Sequence, residues 1–458
     1  MTAAEFEKVM VLEVELAGAI PAVSGLHPAS GERYRRGLAL VRLHTQPLGV
    51  VEVQIGDSGL SADGCAAQIW DALRMEISAH LAQDGLPPVA GLTAAGLPVQ
   101  GMPRCVEPRE ALRADAPLIS VVVATRNRTQ SLAATLRSLL AQDYPSFEIV
   151  VVDNAPDTDE TAEYIERLAA EAPQVRYVRE DMPGLAVAHN RGMHEVRGTY
   201  VAFTDDDVIV DRHWLAEIAR GFRAMENVAC VTGLIFPGEL ETPAQLLAEQ
   251  YGGFAKGFAT QIFDLGEYRL KSPLYPYAIG AVGSGANMAF RTSALREMGG
   301  FDPALGAGSR GVGGDDLAAF YQVITRGWRL VYQPAAIVHH WDPREFAALR
   351  RRAYGYGVGL TAYLTKCLVD RPWLALDIAI RVPYGLLYLL RPGSQKNKKK
   401  RADYPKELNW IERKGMLAGP LAYLRSRWHV RKLAHAAPRE SSPALPGTGS
   451  TGERNVVL

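Results

Sequence analysis

The chain has 458 residues, 48% of them hydrophobic and 22% charged, the balance of a folded globular protein of two or three domains. A mostly disordered chain, a collagen-like repeat and a multi-span membrane protein are excluded. Fifty Lys/Arg cancel fifty Asp/Glu, so whole-chain charge gives no case for nucleic-acid binding. From Arg391 to Leu433, however, 13 Lys/Arg stand against 3 Asp/Glu, which leaves the remainder acidic.

Residues 1–116 are expected to form a small α/β or β-rich domain. Leu38 to Leu43 and Val50 to Ile55 are rich in β-branched and apolar residues and predict strands, with Gln46-Pro47-Leu48-Gly49 as the turn between them. Ile69, Leu73, Ile77 and Leu81 recur at helical spacing. Gly, Pro and Ala dominate residues 84–103, a linker pattern, and no residue in this segment suggests chemistry. Cys65, Cys105, Cys230 and Cys367 lie far apart, with no CxxC pair and no His at metal spacing. This argues against a disulfide framework and a structural zinc site, and for a reducing compartment. The N-terminus has acidic residues where a signal peptide needs basic ones, and no uncharged apolar run reaches the ~20 residues of a membrane span. A cytoplasmic chain, resting at most on the inner face of the plasma membrane, is expected.

Residues 117–345 alternate strand and helix. Strands are predicted at Leu118–Thr125, Phe147–Val152, Val175–Arg179 and Thr199–Thr204, and helices at Thr129–Gln142 and Gly184–Glu195. This order implies a parallel sheet covered by helices, with ligands beyond the carboxyl ends of its strands. Thr125-Arg126-Asn127, Asp153-Asn154 and Asp205-Asp206-Asp207 stand at those ends and should share one crevice.

Three adjacent carboxylates at the end of a buried strand repel one another unless a cation compensates. Hard oxygen donors suit Mg²⁺ or Mn²⁺ bound with substrate phosphates; a solvated acidic turn is the plain alternative. Asp153 after its strand can accept from a ring N–H or a ribose hydroxyl, or simply belong to an Asx turn. Gly283-Ser-Gly-Ala-Asn287 suits close backbone approach to a ligand. Asp315-Asp316, behind Gly311-Val-Gly-Gly314, starts a helix that ends near Arg326-Gly327. The pair is either an ordinary acidic first turn or a general base whose pKa is raised by its neighbour. His339-His340 after Pro334-Ala-Ala-Ile-Val adds a candidate metal or phosphate contact.

Taken together, Ser120-Val-Val-Val-Ala-Thr-Arg-Asn127, Val150-Val-Val-Asp153-Asn154, Gly184-Leu185 through Asn190-Gly192, Asp205-x-Asp207, Gly299-Gly-Phe301 and Gly314-Asp315-Asp316 resemble glycosyltransferase family 2, over roughly half the chain. The resemblance implies a GT-A fold: a Rossmann-like, mostly parallel sheet flanked by helices. It implies an inverting enzyme that moves a sugar from a nucleotide-diphosphate donor to an acceptor hydroxyl, in cell-envelope polysaccharide or glycolipid synthesis, with Mn²⁺ or Mg²⁺. Carried onto this sequence, Asp153 holds the nucleotide base, and Thr125, Arg126, Asn127, Asn190, Asp205 and Asp206 line the donor site. Asp207 is the direct metal ligand, joined by Asp205 and by His340, though His339 could serve. Asp316 is the base beside Asp315, where the family usually has Glu. The alternatives are a non-catalytic nucleotide-sugar binder and a sugar-phosphate nucleotidyltransferase. The latter would need a Gly-rich phosphate loop where Thr125-Arg-Asn-Arg128 stands, and no P-loop motif occurs.

Residues 346–433 combine the Gly- and Tyr-rich stretch 354–364, an apolar stretch 372–390 and the basic stretch. They are expected to be helical, either as an interfacial surface for an anionic membrane or as a cap on the catalytic domain. Residues 434–458 are expected to be a disordered tail.

Overall fold

In the computed structural model, residues 6–27, 30–98, 101–251, 255–394, 396–397, 400–401 and 404–436 are described. All but the first few residues of the expected tail, 437–458, lie outside them. The amino-terminal part is a three-stranded sheet with one long helix. Strand β1 (Val9–Glu15) runs parallel to β2 (Arg36–Leu43), which pairs antiparallel with β3 (Gln46–Gln54). The turn lies earlier than expected, on His44-Thr45, both with positive φ (53° and 68°). That is the two-residue hairpin geometry that fits strand twist, here without the usual glycine. Helix α1 (Ala62–Gln83) starts on Ser61, whose hydroxyl accepts from the Gly64 N–H. It buries the expected Ile69, Leu73, Ile77 and Leu81. A short helix, α2 (Glu107–Ala111), leads into the central domain.

The next elements follow the expected alternation: β4 (Ile119–Thr125), α3 (Thr129–Leu140), β5 (Phe147–Asn154), α4 (Glu160–Glu171), β6 (Val175–Glu180), α5 (Leu185–Glu195) and β7 (Tyr200–Asp205). Val121, Val123, Ile149 and Val151 enter one hydrophobic core, while Val122, Val150 and Val152 enter another. Both faces of these strands are therefore covered, which is why their sequence is an unbroken apolar run.

The remainder is β8 (Val208–Val210), α6 (Trp214–Arg223), β9 (Val228–Pro237), α7 (Pro243–Gln250), β10 (Gln261–Phe263), β11 (Met288–Arg291), α8 (Thr292–Met298), α9 (Asp315–Thr325) and β12 (Arg329–His340). The nine-stranded sheet has the order β10-β12-β9-β11-β7-β4-β5-β6, with β8 on β12. Strands β4, β5, β6, β7, β9 and β12 share one direction; β8, β10 and β11 oppose it. The α/β class with a mostly parallel sheet is thus present.

Three helices follow: α10 (Phe346–Asp370), α11 (Ala375–Leu390) and α12 (Lys406–Ala436). Helices α10 and α12 run side by side in the same direction, from the Arg350–Glu407 ion pair (2.9 Å) to the Arg427–Asp370 pair (3.4 Å). Their contact is close enough to require glycine. A Cβ on Gly357 would lie 2.0 Å from the Glu412 carbonyl oxygen, and one on Gly415 would lie 2.2 Å from that of Tyr354. Gly357 of the 354–364 stretch thus serves the contact with α12, while Gly355 and Gly359 face Val312 and Gly313-Gly314 of the loop before α9. Helix α11 is different. Trp373 just before it, and Leu376 and Ile380 within it, are 73%, 72% and 61% exposed. Among the described residues, Pro372–Leu390 is the one helical segment long and apolar enough, by length and composition alone, to cross a membrane. It escaped the search for an uncharged run because it carries Asp377 and Arg381, which pair with each other at 2.8 Å.

The amino-terminal sheet packs on the central one. Leu40 joins Leu234, Phe236 and Ile337 in a shared cluster, and Arg42 bonds Asp211 at 2.7 Å.

Candidate active site

The site lies where the sheet reverses order, between β4 and β7. Register places Thr125 opposite Asp153 and Ala124 opposite Asp205. Strand β12 brings in the histidine: His340 pairs with Val208 of β8, directly after Asp207. Its Nε2 lies 3.7 Å from Asp207 Oδ1, and its Nδ1 lies 3.4 Å from Asp342 Oδ1. The other candidate, His339, faces away and bonds Glu13 at 3.0 Å.

Asp205, Asp207 and His340 offer donor atoms that all lie within 4.8 Å of one another. Asp207 Oδ1 is buried and accepts no hydrogen bond, so a lone pair is left for a cation, and two carboxylates with one imidazole suit a hard or borderline divalent ion. Asp206 is engaged elsewhere. It accepts from Thr125 Oγ1 at 2.7 Å and from Arg128 at 2.6 Å. The same guanidinium reaches Asp207 Oδ2 at 2.8 Å. The sequence places Arg128 only in the basic loop after β4; its fork onto Asp206 and Asp207 carries no local signal.

Helix α9 supplies the second acidic pair. Gly314 caps it with φ +83°, and a Cβ there would lie 2.5 Å from the Gly359 carbonyl oxygen, so only glycine lets the loop turn Asp315 inward against α10. Asp316 Oδ2 accepts from the Gly285 N–H at 3.0 Å and Oδ1 accepts from the Leu317 N–H at 2.8 Å. His189 of α5, also missed in sequence, is buried between Phe203 and Phe301. Its Nδ1 lies 3.9 Å from Asp315 Oδ2.

Asp205, His189, Asp315 and Asp316 line one cavity of about 1990 Å³. Gly283 and Gly285 form part of its wall, Leu38 and Val50 of the amino-terminal sheet another, and α10 and α11 a third. Of the first acidic group only Asp205 lines this space, together with both members of the second.

Burial dominates the electrostatics. It pushes Asp205 up to about 7, with Asp207 adding to the rise and His340 opposing it. It takes Asp206 to about 6 against the pull of Arg128 and the Thr125 hydroxyl. It takes Asp315 to about 7, helped by Asp316. Asp316 is also raised by burial, but the Leu317 and Gly285 N–H groups oppose this. Burial works against charge on His340, yet Asp342 and Asp207 outweigh it and raise its pKa. His189 has no such partner strength; burial lowers it to about 3, so it is neutral.

Other expected donor contacts are less convergent. Asp153 is fully buried at the end of β5, with Oδ2 accepting from the Tyr177 hydroxyl at 3.0 Å and Oδ1 without a partner; it does not line the cavity wall. Arg126 and Asn127 are exposed. Arg126 lies 3.8 Å from Asp157, and Asn127 bonds the same residue at 2.5 Å. Asn190 donates to the Phe301 carbonyl and accepts from the Phe301 N–H, each at 2.8 Å. It clamps the Gly299-Gly300-Phe301 turn. Asn287 is likewise structural, bonding the carbonyls of Leu234 and Ala336 and accepting from the Trp214 indole.

Residues 120–299 match the family model "Glycosyl transferase family 2". Among curated proteins, the chain is 24% identical over 222 residues to the pre-mycofactocin glycosyltransferase of Mycobacterium tuberculosis, covering 48% of this chain and 42% of that protein. It is 24% identical over 234 residues to the glucosyl-dolichyl phosphate glucuronosyltransferase of Haloferax volcanii, covering 48% and 68%. The chain spans less than half the length of the first curated relatives it matches. Among solved structures, it is similar to the mannosyltransferase PcManGT from Pyrobaculum calidifontis in complex with GDP-Man and Mn²⁺, with a TM-score of 0.42 and 22% identity, over 70% of this chain and 76% of that one.

Proposed function

We propose, from the match of residues 120–299 to the family 2 glycosyl transferase model, that the chain transfers a sugar from a nucleotide-diphosphate donor to a hydroxyl of a lipid-linked acceptor, with inversion. The carrying observation is the single cavity that Asp205 and Asp315-Asp316 line together. Asp316 is the base. It takes the acceptor hydroxyl's proton while that oxygen bonds the anomeric carbon and the bond from that carbon to the donor phosphate breaks. Its rotamer is set by the Gly285 and Leu317 N–H groups, so the carboxylate is positioned before substrate arrives. Asp315 beside it disfavours a second negative charge and keeps the pair's proton affinity near neutrality, where a base works best. Neutral His189 fills the wall behind Asp315 and keeps water out.

Asp205, Asp207 and His340 would hold the divalent ion, which neutralises charge developing on a departing diphosphate. Asp342 and Arg352, ion-paired with each other, orient His340 from behind.

The lipid-linked acceptor is favoured by where the cavity leads. From the carboxylates it runs to Ile378, Val382 and Leu386 of α11, with Arg351 and Arg401 also in its wall. An acceptor with an apolar tail and an anionic phosphate would find both surfaces there. Trp373, Leu376 and Ile380 turn outward to water, and the basic stretch follows. We place this region on an anionic membrane surface. None of the four cysteines is in a disulfide, which fits the cytoplasmic side. The Haloferax relative, by its name, also acts on a sugar carried by a lipid phosphate.

A thermal-shift screen of nucleotide-diphosphate sugars with and without Mn²⁺ tests the reading, because a ligand that binds only the folded state raises its apparent stability. One donor class should raise the melting temperature only with the metal. No metal-dependent shift from any donor would reject the proposal.

A further inference from the structure

Outside the cavity that the carboxylates line, four side chains of the amino-terminal part meet at one point. His44 comes from the β2–β3 turn, His80 and Asp84 from the end of α1, and Cys105 from the segment that leads to the central domain. Every pair of donor atoms is close. His44 Nδ1 lies 2.7 Å from Asp84 Oδ2, 3.2 Å from His80 Nε2 and 3.9 Å from Cys105 Sγ. His80 Nε2 lies 3.2 Å from Asp84 Oδ2 and 3.7 Å from Cys105 Sγ, and the last pair, Cys105 Sγ to Asp84 Oδ2, is 3.2 Å. A hydrogen-bonded chain links neighbours in sequence; here all six approaches are short, the outline of a tetrahedron. Tetrahedral zinc with metal–nitrogen and metal–oxygen bonds of about 2.0–2.1 Å and a metal–sulfur bond of about 2.3 Å needs donor separations of about 3.3–3.6 Å.

We propose that His44, His80, Asp84 and Cys105 bind a structural zinc ion that fastens the linker to the amino-terminal domain. The donor chemistry favours this metal: a thiolate and two imidazoles are too soft for Mg²⁺ or Ca²⁺, and four protein ligands close the coordination sphere, as structural sites do. The His44 and Asp84 side chains are 2% and 1% exposed. The donors are held from behind. Asp84 Oδ1 accepts from the Cys105 N–H at 2.8 Å. The Glu15 carboxylate accepts from the His44 and Thr45 N–H groups at 3.0 and 2.9 Å, fixing the positive-φ turn. Arg109 bonds the Thr45 hydroxyl at 2.6 Å and lies 3.6 Å from Glu217 of α6, so the same turn touches the central domain. The spacing that argued against a zinc site in sequence does not register this cluster. Only His80 and Asp84 share a helix face, and the turn and the linker supply the other two.

The test uses the full-length chain. Purified without chelator, it should carry about one zinc per chain by elemental analysis, and the zinc should remain in Asp205→Ala/Asp207→Ala, whose lesion is in the other site. Replacing zinc with Co²⁺ should give a near-ultraviolet thiolate-to-cobalt band that is lost in Cys105→Ser. If that variant does not fold, mass-spectrometric mapping of alkylation on the unmutated chain decides. Zinc should protect Cys105 at least tenfold. A zinc-free chain whose Co²⁺ form lacks the band, and whose Cys105 alkylates equally with and without zinc, overturns the proposal.

Discussion

The Gly285 main-chain N–H donates to Asp316 Oδ2 at 3.0 Å across 31 positions of sequence. It ties the carboxylate assigned as base to the glycine segment in front of β11. The bond favours the charged form of Asp316, whereas burial and Asp316 itself hold Asp315 at about 7. Neighbouring carboxylates that titrate apart have distinct tasks. Below about pH 7 Asp315 is already neutral, so Asp315→Asn should leave the acidic limb of the kcat/KM pH profile, set by Asp316, in place, with the rate near pH 8 kept within about tenfold. A limb that moves to lower pH would show that Asp315 carries charge while Asp316 ionises.

Asp205, Asp206 and Asp315 all have folded pKa values above the 3.8 of a free aspartate, about 7, 6 and 7. Between about pH 4 and 7 the folded state keeps protons that the unfolded state has released, so these groups make stability fall as pH rises through that window. A divalent ion needs Asp205 ionised and opposes the trend. The rise in melting temperature on adding Mn²⁺ should therefore be small near pH 5.5 and larger near pH 8, read by calorimetry at both. An equal or larger shift at the lower pH would contradict the electrostatic picture.

Arg128 bridges Asp206 and Asp207, and its side chain is 51% exposed. The guanidinium is half exposed but Asp206 is buried, so Arg128→Gln should cost about 1–3 kcal/mol of stability. The guanidinium also competes with a cation for Asp207. Mn²⁺ should bind the variant about fivefold more tightly, the equivalent of about 1 kcal/mol. Weaker metal binding would mean that Arg128 supports the ion instead.

Asn190 has its amide committed to both main-chain groups of Phe301. Asn190→Ala leaves those groups without partners, at a cost of about 1–3 kcal/mol in denaturant unfolding. Donor affinity measured on the folded variant should change less than about threefold. A large loss of affinity with unchanged stability would return Asn190 to direct donor contact.

Much of the central domain is legible in sequence because β4, β5 and β7 are buried on both faces and carry unbroken apolar runs. Their carboxyl ends follow directly, so Asp153 and Asp205 could be placed. The antiparallel strands are harder, since β8 and β10 have three residues and β11 four, too few for a period to register. The proximity of His340 to Asp207 depends on β8 pairing with β12 and has no local signal. The Arg128 fork and the setting of His189 are tertiary facts. The glycines of 354–364 are visible in sequence, but their causes, the α12 contact at Gly357 and the loop before α9 at Gly355 and Gly359, are not.

Helix α11 shows its apolar side chains to water, with Trp373, Leu376 and Ile380 the most exposed of them. The full chain should float with anionic liposomes. Trp373→Ser/Leu376→Ser/Ile380→Ser should lose most of that binding while its melting temperature stays within a few degrees. Equal flotation of both would remove α11 as the membrane contact.

The most direct measurement of the central claim is single-turnover sugar transfer from a saturating donor, with Mn²⁺ present, by Asp316→Asn beside the unmutated chain. The account predicts a rate reduced by roughly 10²–10⁴ with donor affinity unchanged, because the proposed donor contacts are at Asp205 and Asp207 and not at Asp316. A variant that transfers at the unmutated rate, or that loses donor binding together with turnover, would contradict it.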